Sequence, residues 1–144
     1  MTEPKKILVP VDLSERSEKA VLYAAMMAQA FGSHLVAMIN VNLPERAVLE
    51  ELGSAEHLSL EDAAQAALEA ILARLAPSVS SSVEVRFRDF PADAILEVAD
   101  GEHADLIVIA SHGRSGMTRW MLGSVAEKIA RNAEVPVVMV PARG

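Results

Sequence analysis

Apolar positions along the chain come in short runs whose period keeps switching between that of a strand and that of a helix. Lys6 to Val11 is an apolar run that stops at Asp12 and predicts a strand. Asp12 and Ser14 are both good helix caps, and Asp12-Leu13-Ser14-Glu15 has the shape of a capping box. The helix that follows gathers Val21, Ala24, Ala25, Ala28 and Phe31 on one face and stops at Gly32. His34 to Val41 predicts the next strand. Residues 42 to 58 are mixed, with Pro44, Gly53 and scattered acids, and read as a long connection. Ser59 opens a helix whose Leu68, Ile71, Leu72 and Leu75 keep i, i+3, i+4, i+7 spacing, with Pro77 just beyond. Residues 82 to 88 alternate, Val83, Val85 and Phe87 against Glu84, Arg86 and Arg88, as an edge or near-edge strand does. Pro91 starts a short helix (Ile95, Leu96, Ala99) that Gly101 ends. Leu106 to Ala110 is apolar throughout, which predicts a central parallel strand buried on both faces. A glycine-bearing loop from Ser111 to Gly123 leads to a last helix at Ser124, where Ser124-Val125-Ala126-Glu127 reads as a capping box. That helix ends near Asn132, and Val135 to Val140 is a final strand closed by Pro141.

Five strands alternating with helices imply an α/β fold: a doubly wound parallel sheet with helices on both faces, in one domain spanning residues 1–144. Ligands of such sheets sit outside the carboxyl ends of the strands, where strand order reverses. The loops after Val11, Val41 and Ala110 are therefore the places for chemistry.

Composition narrows the classes. Apolar residues make up 51% of the 144, enough to build a core. A formal charge of −7 and a 3% aromatic content argue against nucleic acid, which calls for basic surfaces and stacking platforms. Without cysteine there is no disulfide, thiolate metal site or cysteine nucleophile. The stretch from Ala20 to Pro44 has no Asp, Glu, Lys or Arg, but Gln29, Gly32, Ser33 and His34 interrupt it. A membrane-crossing helix needs about 20 predominantly apolar residues, so the stretch reads as a helix and then a strand. The apolar run at Ile7 is too short for the core of a signal peptide. A soluble, cytoplasmic protein is expected, with no membrane partner.

The loop after Ala110 carries the strongest chemical signal. Gly113 and Gly116 let the backbone approach a ligand closely, and Gly123-Ser124 place unpaired amides at a helix start, where the macrodipole contributes roughly half a positive charge. Such a constellation binds phosphate without lysine; the plain alternative is a loop and a capped helix. Arg114 and Arg119 are the cations at hand, although a solvated surface arginine is the commoner fate. Asp12, at the end of the first strand, can face ribose hydroxyls or a magnesium ion, and can equally cap the following helix. Neither G-x-x-x-x-G-K-[ST] nor a G-x-G-x-x-G after the first strand occurs. Ser111 and His112 are adjacent and on an extended backbone point apart, so no local nucleophile–base pair is expected. The four histidines show no metal-ligand spacing, and surface positions are the default for them.

Ile7-Leu8-Val9-Pro10-Val11-Asp12 with Ser14, Ala104-Asp105-Leu106-Ile107-Val108, Ser111-His112-Gly113-Arg114, Leu122-Gly123-Ser124-Val125 and Val135-Pro136-Val137, in that order, resemble the universal stress proteins over nearly the whole chain. The resemblance implies a five-stranded, Rossmann-like sheet of the adenine nucleotide alpha hydrolase type, usually a cytoplasmic homodimer. It implies ATP, or a related nucleotide such as AMP, as ligand, with magnesium carried by it. Pro10, Val11 and Asp12 would line adenine and ribose, with Val41 beside the base, and Ser111, Gly113, Gly123, Ser124 and Val125 would hold the phosphates. The nucleotide-binding members carry glycine, two residues, glycine, nine residues, then glycine and serine or threonine. Gly113, Arg114 to Leu122, and Gly123-Ser124 match, but Ala110 stands at the first glycine and its methyl narrows the gap beside the nucleoside. The last strand carries no charge and would be an unguarded edge, which fits dimerisation through Val135 to Val140. The reading is a nucleotide-binding stress-response module, a sensor with at most slow hydrolysis. The alternative is a dimerisation or partner-binding module without nucleotide, and a third, an enzyme, would have only Asp12 as a general base.

Overall fold

The computed structural model describes residues 3–53, 59–112 and 122–141. Its elements are β1 (Lys6–Pro10), α1 (Glu15–Phe31), β2 (His34–Asn40), α2 (Leu43–Gly53), α3 (Leu60–Leu75), β3 (Ser81–Arg86), α4 (Pro91–Gly101), β4 (Leu106–Ala110), α5 (Ser124–Asn132) and β5 (Val137–Val140). All neighbouring strands pair in parallel, in the order β3-β2-β1-β4-β5. The chain therefore winds outward from β1 to β3, then crosses back to β4 and winds outward the other way. The reversal lies between β1 and β4.

Strand alternation sorts the core into two layers. Ile7, Val9, Leu35, Ala37, Ile39 and Val108 pack with α1, α2 and α3, whereas Leu8, Val36, Met38, Ile107 and Ile109 pack with α4 and α5. β4 is buried along its whole length, as its unbroken apolar run predicts. β3 and β5 are the edges and are only half-buried. β3 ends at Arg86, so Phe87 leaves the alternation and is exposed. β5 is shorter than predicted, starting at Val137.

Residues 42 to 58 differ most from expectation, because they include a helix rather than only a connection. α2 opens with the Arg46 amide donating to the Asn42 carbonyl at 2.8 Å, and it buries Leu49 completely against the α1–α3 layer. Pro44 and Gly53 act as start and stop signals, since proline is tolerated in a first turn and glycine favours a last one. Both predicted capping boxes also move. Ser14, not Asp12, is the N-cap of α1 and accepts from the Ser17 amide. The N-cap of α5 is Gly123, so Ser124 enters the first turn and makes no side-chain cap. Among the described residues no helix is long and apolar enough to cross a membrane.

Candidate functional site

The reversal point holds a cavity of about 310 Å³ at the carboxyl ends of β1, β2 and β4, the place where this class of sheet takes ligands. Its floor is Pro10, Val11 and Asp12 after β1, Met38 and Asn40 at the end of β2, and Ile109 and Ala110 at the end of β4. Its walls are the amino-terminal ends of three helices: Pro44 and Glu45 of α2, Pro91 and Ile95 of α4, and Ser124 to Ala126 of α5, with Gly123 just before. Most of this lining is apolar with a few fixed polar groups, the usual make-up of a small-molecule site.

Asp12 and Asn40 are held in place by their neighbours. Asp12 is followed by Leu13 in the left-handed region at φ 67°, a turn that brings the Asp12 carboxylate back onto Ser14. Oδ1 of Asp12 accepts from both the amide (3.0 Å) and the hydroxyl of Ser14, and its own amide donates to Ser17 Oγ at 3.3 Å. Asn40 pairs with the Arg88 backbone in both directions, Nδ2 donating to the carbonyl at 3.0 Å and Oδ1 accepting from the amide at 2.9 Å. That pairing sets the path of the loop leading to Pro91.

α5 meets the cavity with its amino-terminal end. Its first intrahelical bond on the Gly123 carbonyl comes from the Glu127 amide at 2.9 Å, and among the described residues no side chain caps it. The amides of Ser124, Val125 and Ala126 precede that bond, so they belong to the unpaired first turn of a helix. The Ser111 carbonyl accepts from the Gly123 amide at 2.8 Å while the Ser111 amide donates to the Val140 carbonyl at 2.9 Å. Ser111 thereby ties the end of β4 to both the start of α5 and the end of β5.

The structure brings Pro10, Val11, Asp12, Ala110, Gly123, Ser124 and Val125 together on one cavity wall or floor. Val41 is buried in the α1–α3 layer and is not among the residues that line the cavity. Alternation along β2 explains this, since Met38 and Asn40 are the residues turned toward α4 and α5. Ser111 is buried and also absent from the lining; its hydroxyl meets His112 Nδ1 at 3.0 Å. The expected divergence of Ser111 and His112 is thus overturned. Beyond Ala110 the chain bends, and neighbouring side chains on a bent backbone can converge. His112 is buried on the cavity wall, not at the surface. Gly113, Arg114 and Gly116, together with Arg119, lie outside the described residues.

Met38, Asn40, Glu45, Pro91, Ile95 and His112 line the cavity without having been singled out from the sequence. Period-2 alternation on β2 could have found Met38 and Asn40; the α2 and α4 residues needed the tertiary arrangement. A larger hollow of about 520 Å³ lies at the opposite end of the sheet, lined by Asp100, Asp105 and Glu134 beside the carboxyl ends of α4 and α5. Carboxylates and negative helix ends disfavour an anion there, so the smaller cavity is the candidate.

The profile of the universal stress protein family matches residues 3–141. The universal stress protein MJ0531 of Methanocaldococcus jannaschii is 34% identical over 139 residues, which span 94% of this chain and 81% of that one. The solved structure of the M. jannaschii protein MJ0577 superposes with a TM-score of 0.77 at 25% identity, over 96% of each chain. A universal stress protein crystallised with cAMP is 27% identical, with a TM-score of 0.66 over 98% of this chain and 99% of that one.

Proposed function

The chain belongs to the universal stress protein family, and on that premise we propose that its cavity binds an adenine nucleotide, ATP or AMP. The observation that carries the reading is the start of α5 on the cavity wall, where no side chain among the described residues caps it. Three backbone amides and the helix dipole offer a phosphate a ready seat there, and the net charge of −7 does not oppose it, because charges beyond about 8 Å are screened. Asp12, on the floor after β1, suits ribose hydroxyls, and it would be the residue to approach a magnesium ion carried by the nucleotide. That a similar protein was crystallised with cAMP supports the adenine nucleotide class.

The protein acts in this reading as a cytoplasmic sensor or regulator, at most a slow hydrolase, and pairs with a second copy through β5. Gly113, Arg114 and Gly116 complete the phosphate loop from the sequence side. A second reading, a partner-binding module without nucleotide, draws on Ala110, which lines the cavity where the nucleotide-binding pattern has glycine.

Native mass spectrometry of freshly purified protein, and calorimetry with ATP and AMP in the presence of magnesium, test the proposal. The wild type is expected to bind. In Gly123→Val a branched side chain enters the lining while the backbone stays in a region valine tolerates (φ −63°, ψ 152°). Affinity should fall at least about tenfold, equivalent to about 1.4 kcal/mol, with an unchanged circular dichroism spectrum. A wild type that neither carries nor takes up nucleotide would establish the second reading.

A further inference from the structure

The wall opposite α5 carries a carboxylate that the phosphate-end argument does not use. Glu45 is 8% exposed and lines the cavity. It is the third residue of α2, and its Oε1 accepts from the Asn42 amide at 3.0 Å, the acidic half of a capping box. Among the described residues no donor pairs with Oε2, and no buried side-chain oxygen or nitrogen is left without a partner. Oε2 therefore keeps some accessibility, and Glu45 is a residue of the cavity lining. Its position along the sheet says what it can read. α5 begins beyond β4, Asp12 follows β1, and Glu45 follows β2. With strands about 4.8 Å apart, Glu45 and the phosphate seat are separated by about two strand spacings, with the ribose-facing carboxylate between them. A nucleotide laid with its phosphate on α5 thus sends its base toward Glu45.

We infer that Glu45 selects the base, accepting a hydrogen bond from an exocyclic amine and rejecting a base that presents a carbonyl there. The inference rests on the nucleotide reading above. A carboxylate can only accept, so the 6-amino group of adenine satisfies it while the 6-oxo group of hypoxanthine sets two acceptors against each other. Sites built to pair with an N–H discriminate strongly against analogues that lack it, because the buried partner is left unsatisfied.

Calorimetric titration with AMP, IMP and N6,N6-dimethyl-AMP tests this in the wild type and in Glu45→Gln. The variant retains an oxygen for the Asn42 amide, so the start of α2 survives, and an equal melting temperature without ligand checks that. The wild type should prefer AMP over both analogues by about tenfold or more. In Glu45→Gln, whose amide can also donate, the preference for AMP over IMP should collapse or invert. If the wild type binds AMP and IMP equally, or if the variant keeps the wild-type preference, Glu45 does not read the base although nucleotide binding stands. The dimethyl analogue asks the same question without a mutation, and undiminished affinity for it also overturns the role of Glu45. Failure of the wild type to bind any of the three, and ATP as well, removes the nucleotide reading, and this inference with it; binding of ATP alone moves the same comparison to ATP and ITP.

Discussion

Leu13 holds a backbone conformation that costs an L-residue roughly 1–2 kcal/mol, and it does so half-buried against the α1–α3 layer. What offsets the cost is local: Asp12 closes onto Ser14, and Ser14 in turn caps α1 through the Ser17 amide at 3.2 Å. One serine therefore serves both the helix and the aim of the carboxylate on the cavity floor. Ser14→Ala is expected to lower stability by about 1 kcal/mol, read as a shift in the urea midpoint, and to weaken nucleotide binding. Ser14→Thr, which keeps the hydroxyl, should restore both to near the wild type. At this scale the sequence was legible where residue type decides the matter, as for Asp12 and Ser14 at the first turn. It was not legible where backbone direction decides. Adjacent Ser111 and His112 meet because the chain bends after Ala110, and no periodicity records a bend. Val41 joins the α1–α3 core layer by strand alternation.

α2 is the element that the pattern of residues concealed. Its eleven positions mix acids with apolar residues too evenly to form a clear stripe, and a proline and a glycine stand at its ends. The helix exists because Leu49 finds a completely buried place against the α1–α3 layer; packing decides where intrinsic preference is weak. Leu49→Ala should accordingly cost about 2–5 kcal/mol in equilibrium denaturation. A change within about 0.5 kcal/mol, as at a loose surface connection, would show that α2 is not part of the core. The long and strongly patterned elements were readable from the start: α1 and α3 by their apolar faces, β4 by its unbroken burial. α5 shows a subtler limit. Ser124 and Glu127 have the residue types of a capping box, but Gly123 takes the capping position, and Glu127 pairs with Arg131 at 3.0 Å instead. That one-residue shift puts a glycine, with no side chain to cap the helix, at its start on the cavity wall.

At the scale of the molecule, alternation of strand and helix was enough to specify a parallel sheet wound both ways, while the strand order needed the structure. Its edge on the β5 side makes a definite prediction about self-association. The Ile107 amide donates to the Pro136 carbonyl at 3.0 Å and the Ser111 amide to the Val140 carbonyl at 2.9 Å, so even-numbered residues of β5 face β4. The amides of Val137 and Met139 then point outward, free to pair with a second copy. Met139→Pro removes one outward donor without touching the ladder to β4, and sedimentation velocity should show a homodimer in the wild type and monomers in the variant. A wild type that sediments as a monomer at all concentrations would refute pairing through β5. The same parallel arrangement has a consequence for how the protein comes into being. β1 is made early, yet Asp105, which accepts from the amides of Lys5 and Lys6 at 2.9 and 3.1 Å, follows about a hundred positions later. On the ribosome, β1, β2 and β3 can assemble with α1 to α3 as a half-sheet whose innermost strand shows a bare flank until β4 emerges. Non-local pairing of this kind is slow and open to wrong partners. The need for chaperones is expected to be greatest after Arg86 has emerged from the ribosome and before Ala110 does.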